Sequence, residues 1–345
     1  METSFPSTKT IMKAVFFEVK EKERELLPSL LEGFDFHLYN EKLSEETAGL
    51  ANGAEVVSVF VDSEINKAMM DLLPDCKFIC TRSTGFDHID TANAKEKGIA
   101  VSNVPSYGSR TVAEFTFALL LCLTRKIFSA RHQTLVSENL EDIGAFQGVD
   151  MFGKTIGVVG TGKIGKNVVK IAKGFGMNVI AFDVRPDEKF AGEEDFRYVP
   201  LEELLANSDV VTLHTPYMKE THHIINSSNI FKIKKGAFII NTARGELIET
   251  DALLKALTNG HIAGAGLDVL ESERQLKEEA ELLSNSAEKI KDFKTLLQNH
   301  VLINMPQVVI TPHIAFFSKE AVEEILKVTI KNIKSFISGT PENLV

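Results

Sequence analysis

Apolar positions arrive along this chain in short bursts separated by amphipathic stretches. Lys13–Val19, Phe36–Tyr39, Val56–Phe60, Phe78–Thr81 and Val101–Val104 are apolar runs of strand length. Between them stand a charged helical stretch reaching Leu31 and helical patterns at Ser63–Leu73 and His88–Lys97. Strands alternating with helices at this spacing predict a parallel sheet covered on both faces. Pro105 closes the series, and a second one opens at Thr155. Its strands are expected at Thr155–Val159, Asn178–Phe182, Val210–Leu213, Ala237–Asn241, Gly264–Asp268 and Val308–Ile310. Helices are expected at Ile164–Phe175, Leu201–Ala206, Ser227–Phe231 and Glu249–Thr258. The fold class is therefore α/β, with two Rossmann-like parallel-sheet domains.

Three stretches depart from this rhythm. Arg110–Ser129 reads as one long helix that is apolar on more than one face, which predicts burial between layers or between subunits. Arg131–Asp150 is polar, with few apolar anchors, and is expected to wrap a surface. Ser272–His300 is rich in Glu and Lys and reads as a solvated helical excursion. The tail, Lys319–Ser338, reads as one amphipathic helix. Pattern alone puts the domain boundary near Pro105–Arg110.

Composition narrows the function classes. The 345 residues are 44% hydrophobic and 25% charged, the balance of an ordinary globular protein. The formal charge of −10, without a basic block, argues against nucleic acid and anionic membranes as partners. Three cysteines, Cys76, Cys80 and Cys122, cannot all pair and form no metal-binding spacing, so no metal is expected. With no signal-peptide pattern at the start, the expected location is cytoplasmic.

The strongest local signal is TIGVVGTGKIGKNVVKIAKGFGMNVIAFD, residues 155–183. It holds Gly160-x-Gly162-x-x-Gly165 directly after a strand pattern and at the start of a helix pattern. Gly160 permits the tight turn, Gly162 lets a pyrophosphate approach the backbone, and Gly165 lets helix and strand pack closely. Thr161, Lys163 and Ile164 complete the loop, whose free N–H groups attract phosphate. Asp183, 18 residues beyond Gly165, is placed to accept from ribose hydroxyls, with Val184 beside it. A carboxylate there repels a 2′-phosphate and favours NAD over NADP, a preference Arg185 weakens slightly. Flavin is the rival ligand, but its glycine turn usually stands near a chain's start. His214, Thr215 and Pro216, after Val210–Leu213, and Thr242 and Ala243, after Ala237–Asn241, are further cofactor-side candidates at strand ends.

A nicotinamide enzyme acting on a carbonyl needs a proton donor, a group that holds the donor in the right state, and a substrate clamp. Open parallel sheets supply these from the carboxyl ends of strands. His313 follows Val308–Ile310 through Thr311-Pro312, and its ordinary pKa near 6.5 allows proton traffic near neutrality. Arg244 emerges after Ala237–Asn241, where its planar fork can grip a carboxylate. A carboxylate beside His313 would favour its charged form, but local sequence does not separate Asp268, Glu271 and Glu273. His222 and His223 read as surface loop residues.

Together these features resemble the D-isomer-specific 2-hydroxyacid dehydrogenases. The match rests on TRSTGFDHID at 81–90, Asn103-Val104-Pro105 with VAEFTFALLL at 112–121, the 155–183 fingerprint, NTARG at 241–245, AGAGLDVLESE at 263–273 and TPH at 311–313. The resemblance implies a catalytic triad of Arg244, Glu273 and His313, choosing Glu273 because it stands five residues after Asp268. It implies that Asp268 tunes the site's proton affinity and that Ser83, Thr84 and Gly85 hold the substrate carboxylate. It further implies a discontinuous, flavodoxin-like substrate domain (1–107 and 314–345) around an NAD-binding domain (108–313). A homodimer through Arg110–Ser129 is also implied. Tyr107 and Phe316 lean toward the D-lactate dehydrogenase branch and a small or apolar 2-oxoacid such as pyruvate. A glyoxylate or hydroxypyruvate reductase and a dinucleotide-sensing corepressor are the alternatives.

Overall fold

In the computed structural model the described residues are 12–137, 143–273, 276 and 293–345. They form two compact units, one of residues 1–107 with 318–345 and one of 108–317. Both are α/β with wholly parallel sheets.

The first unit carries β1 (Lys13–Phe16), α1 (Glu21–Leu30), β2 (Asp35–Leu38), β3 (Val56–Val59), α2 (Lys67–Asp71), β4 (Phe78–Thr81), α3 (Thr91–Glu96) and β5 (Ala100–Ser102). The sheet order is β2-β1-β3-β4-β5, the flavodoxin-like order of a doubly wound sheet. The central strands β3 and β4 are buried along their whole length, as strands covered on both faces must be. Behind β4 the unit is held by an Arg82 guanidinium with no exposed surface. It donates to the carbonyls of Phe17 (2.7 Å) and Glu18 (3.1 Å), to the Ser58 hydroxyl and to Glu23. A buried guanidinium is tolerable only when so many of its donors are matched.

The second unit runs α4 (Ser109–Thr124), α5 (Ile127–Ser137), β6 (Thr155–Val159), α6 (Lys163–Gly174), β7 (Asn178–Phe182), α7 (Glu188–Glu193), β8 (Arg197–Tyr198), α8 (Leu201–Asn207), β9 (Val210–Leu213), β10 (Ala237–Asn241), α9 (Thr250–Thr258), β11 (Ile262–Leu267), α10 (Phe293–Ile303) and β12 (Val308–Ile310). The last helix, α11 (Lys319–Ile337), returns to the first unit, where Phe336 stacks on Phe78 at 4.4 Å. The seven strands are ordered β12-β11-β10-β9-β6-β7-β8. The chain runs outward from β6 through β7 and β8, then restarts at β9 on the other side of β6. That reversal opens a crevice at the carboxyl ends of β6 and β9.

Several sequence expectations are corrected here. Arg110–Ser129 is not one helix: α4 ends at Thr124, Lys126 turns left-handed (φ 51°), and a separate α5 follows. Ser227–Phe231 forms only a 3-10 turn at Ile230–Lys232. The two-residue strand β8 is too short and polar to show a pattern in the sequence. Of the Ser272–His300 excursion, 274, 275 and 277–292 lie outside the described residues, as do 138–142 of the surface stretch; the rest of the excursion includes the start of α10. Among the described residues no helix is long and apolar enough to cross a membrane.

The apolar excess of α4 has a use within its own unit. Its Leu119 and Leu123 press onto β11 where the strand carries Gly264 and Gly266. A Cβ at Gly266 would stand 2.9 Å from Ile240 Cδ1 and 3.1 Å from Leu119 Cβ. Gly266→Val should therefore lift α4 off the sheet and cost about 1–3 kcal/mol of stability. Urea denaturation with an unchanged midpoint would contradict this packing.

Candidate active site

The glycine turn sits at the β6–β9 crevice and is shaped by close backbone contacts. Gly160 is left-handed (φ 93°), and a Cβ there would lie 2.9 Å from the His214 carbonyl group. A Cβ at Gly165 would strike the Gly160 carbonyl oxygen at 2.0 Å. Both positions exclude any side chain, which is how β6, α6 and the end of β9 come so close. At Gly162, by contrast, a Cβ would meet nothing within 4 Å, so open space faces the first turn of α6, which begins at Lys163 and Ile164.

Asp183 lies just past β7 with its carboxylate fixed. One oxygen accepts from the Thr161 amide (2.7 Å) and hydroxyl (3.0 Å), the other from the Arg185 amide (2.9 Å). The Arg185 side chain is exposed, and so is Val184. Across the crevice, His214 Nε2 bonds the Thr212 hydroxyl at 2.8 Å. His214 Nδ1 and the Thr215 hydroxyl are buried yet have no hydrogen-bond partner among the described residues. Unmatched polar atoms beside a glycine turn, with Pro216 next in line, are what a polar dinucleotide would satisfy. Burial pushes the His214 imidazole down to about 3, so it is neutral at physiological pH.

The chemical groups gather at the ends of β10, β11 and β12. The His313 and Glu273 side chains meet, Nδ1 to Oε2, at 3.3 Å, both only partly exposed. His313 is left-handed (φ 56°), and its amide donates to the Asp268 carbonyl at 2.9 Å. The Asp268 carboxylate accepts from the Thr311 hydroxyl (2.5 Å) and the amides of Ile314 (2.9 Å) and Ala315 (2.8 Å). Burial still raises its proton affinity, against the pull of those donors and of His313.

Arg244 follows β10 through Thr242 and Ala243. Thr242 is buried against the Thr116 hydroxyl of α4 at 3.1 Å. The Asn241 amide side chain donates to the Arg244 carbonyl at 2.7 Å, fixing the backbone there. The next residue is decisive: a Cβ on Gly245 would lie 2.0 Å from the Leu270 carbonyl carbon and 2.3 Å from the Glu271 nitrogen. The turn after Arg244 thus rests directly on the turn that leads to Glu273.

The structure separates the three carboxylates that local sequence left equivalent. Asp268 ties the His313 turn, Glu273 meets His313, and Glu271 bonds His223 Nε2 at 2.6 Å. His223 is therefore no plain surface residue, unlike the exposed His222 stacked on it at 3.8 Å. Its partner is 48 positions away, so no local signal marked it. Phe316 packs over Gly108 at the start of α4, 3.6 Å from where a Cβ would be. The remaining candidates belong to the first unit. Ser83, Thr84 and Gly85 follow β4, with Ser83 Oγ on the Gly85 carbonyl (2.6 Å) and Thr84 Oγ1 on the Val104 carbonyl (2.8 Å). Tyr107 closes that unit's first segment. Among the described residues no cluster of His, Cys, Asp and Glu has the form of a metal site.

Residues 117–315 match the D-isomer specific 2-hydroxyacid dehydrogenase NAD-binding domain. The chain belongs to that family. An aromatic 2-oxoacid reductase of Clostridium sporogenes is 36% identical over 96% of this chain and 98% of its own. The D-lactate dehydrogenase of Escherichia coli is also 36% identical, over 97% and 100%. The crystal structure of Aquifex aeolicus D-lactate dehydrogenase with NAD and lactic acid superposes with a TM-score of 0.86 at 35% identity, covering 96% of this chain and 98% of that one. This protein is accordingly an NAD-dependent 2-hydroxyacid dehydrogenase, reducing a 2-oxoacid to a D-2-hydroxyacid.

Because His214 stays uncharged, its ring should not titrate as the others do. In a nitrogen-detected NMR titration, one imidazole should hold its neutral shifts from pH 8 to about 4. The signal missing from His214→Asn identifies it; protonation of that ring near its ordinary 6.5 would contradict the burial.

Proposed function

We propose that this dehydrogenase acts on small, apolar 2-oxoacids, pyruvate first among them, giving D-lactate, and that it prefers NADH to NADPH. The observation that carries the chemistry is the 3.3 Å pairing of His313 with Glu273 at a strand end of the nucleotide-binding unit. With Nδ1 turned to Glu273, Nε2 is the nitrogen left to face substrate. When bound, NADH supplies hydride to C2. As the carbonyl electrons move onto oxygen, protonated His313 releases its Nε2 proton to the developing alkoxide. Glu273 stabilises the imidazolium and holds the ring. Arg244 grips the substrate carboxylate and polarises the carbonyl. In the reverse direction neutral His313 takes the hydroxyl proton. Within the first unit, the Ser83–Gly85 loop and Tyr107 keep the substrate-binding role that the family resemblance gives them.

Two features support the substrate preference. The histidine turn is followed by the aromatic pair Phe316 and Phe317, 5.8 Å apart and edge to face, which suits apolar contact. For the cofactor, the fixed Asp183 carboxylate disfavours a 2′-phosphate. Aromatic 2-oxoacids form a second reading, favoured by the equal identity of the Clostridium reductase and the Escherichia dehydrogenase. The test is a panel of pyruvate, 2-oxobutyrate, branched oxoacids, phenylpyruvate, glyoxylate and hydroxypyruvate, each with NADH and NADPH, with product chirality read. Highest kcat/KM on phenylpyruvate, glyoxylate or hydroxypyruvate would displace the pyruvate assignment. His313→Ala should lower kcat by a factor of about 10² or more while NADH affinity holds. Unchanged turnover would remove His313 from the chemistry.

We further propose a homodimer through the helical region from Arg110 to Ser129. Ile127 and Phe128 are about half exposed, and Leu135 and Val136 of the same helix are more open still. Exposed apolar groups gathered in this way mark an association surface. Sedimentation equilibrium at micromolar concentration should give twice the 38.1 kDa chain mass; a monomer would reject the dimer.

A further inference from the structure

Beside the His313–Glu273 pair stands a second histidine–carboxylate pair, His223 with Glu271, which the proposed chemistry does not use. Both carboxylate oxygens of Glu271 and its carbonyl are held. Oε1 accepts from His223 Nε2 (2.6 Å), Oε2 from the Thr250 amide (3.1 Å) and hydroxyl (2.7 Å), and its carbonyl from Asn299 Nδ2 (2.8 Å). A single residue, Ser272, separates it from Glu273, and Ser272 is left-handed (φ 57°). Only one constrained residue thus lies between an anchored carboxylate and the carboxylate that meets His313.

His223 also touches the other half of the chemistry. Its amide donates to the Glu246 carbonyl at 2.8 Å, on the turn directly after Arg244-Gly245. Its own carbonyl accepts from Asn226 Nδ2 at 2.8 Å, and its backbone is itself left-handed (φ 50°). The backbone of this residue therefore binds the turn that follows Arg244, and its ring binds the turn that leads to Glu273. Gly245 lets those two turns press against each other. Two non-glycine residues held left-handed, Ser272 and His223, are costly backbone to keep for a surface loop.

We infer that His223 and Glu271 are positioning residues: they clamp the Arg244 turn to the Glu273 turn and so set the approach of Glu273 to His313. This rests on the proposed roles of Glu273 and His313. The ionisable groups on the elements around the clamp are Tyr217, Lys219, Glu220 and His222 on its loop, Arg244, Glu246 and Glu249 after β10, Asp251 and Lys255 on α9, Lys294 and His300 on α10, and Glu273 itself. The clamp is geometric and requires no change of charge among them.

The test compares His223→Ala, His223→Gln and Glu273→Gln by the pH profile of kcat/KM for oxoacid reduction, with NADH affinity and thermal midpoint measured alongside. Glutamine at 223 retains a donor toward Glu271. His223→Ala should cut kcat roughly tenfold or more with NADH affinity unchanged. It should move the alkaline limb of the profile to lower pH, in the direction of Glu273→Gln, because the imidazolium loses its carboxylate. His223→Gln should restore most of both. A lowered thermal midpoint with an unmoved limb would show a merely structural pair and overturn the inference. If Glu273→Gln itself leaves the limb in place, the roles of Glu273 and His313 fail and the clamp with them. If Glu273→Gln moves it and His223→Ala does not, the clamp alone fails. Should His223→Ala not fold, Glu271→Gln is read by the same criteria.

Discussion

The Asp268 carboxylate is 1% exposed and accepts hydrogen bonds from the Thr311 hydroxyl and from the amides of Ile314 and Ala315, while its carbonyl accepts the His313 amide. Removing a carboxylate from water is costly, and its raised proton affinity shows that burial outweighs the donors. What the arrangement provides is a fixed chain path from β12 through His313. The histidine is held left-handed, a conformation an unconstrained His visits seldom. Its ring is thereby aimed at Glu273. The fixed placement of His313 is thus borne by the strand next to its own in the sheet, because β11 pairs with β12.

The same economy of backbone explains the glycines. Gly160 and Gly165 bring the β6 turn against the end of β9 and the start of α6, and Gly245 brings the β10 turn against the β11 turn. In each case a Cβ would collide with main chain, which cannot swing aside as a side chain can. The sheet order then does the rest. Strands β12, β11, β10 and β9 are successive neighbours leading to β6, so their carboxyl-end turns form one row from His313 to the glycine loop.

Much of this was readable in the residues. Strand runs such as Phe78–Thr81 and Ala237–Asn241 fall where their patterns put them, since buried parallel strands are continuously apolar. The glycine spacing with Asp183 carries its own geometry, because steric and electrostatic demands act within thirty or so residues. What could not be read was contact across sequence distance. Arg82 binds carbonyls 64 and 65 positions away, and His223 binds a carboxylate 48 away. The break at Lys126 was hidden for a different reason: apolar periodicity continues through it, and a left-handed lysine leaves no compositional mark. The multi-sided apolar character of Arg110–Ser129 calls for burial between layers or between subunits, and Leu119, Leu120 and Leu123 are buried against layers of their own unit. Apolar excess on a helix does not by itself say which neighbour covers it.

Three carboxylates within six residues illustrate how environment divides labour among like groups. Asp268 stands just past β11, where amides of the turn after β12 converge, and it becomes a backbone anchor. Glu271 meets a threonine that starts α9 and the ring of His223, and its acceptors are consumed. Glu273, past a left-handed serine, is turned toward His313. None of the three differs from the others in intrinsic chemistry enough to predict this. Their order along the chain matters only because β11 delivers them, one after another, past the neighbouring turns of β12, α9 and β10.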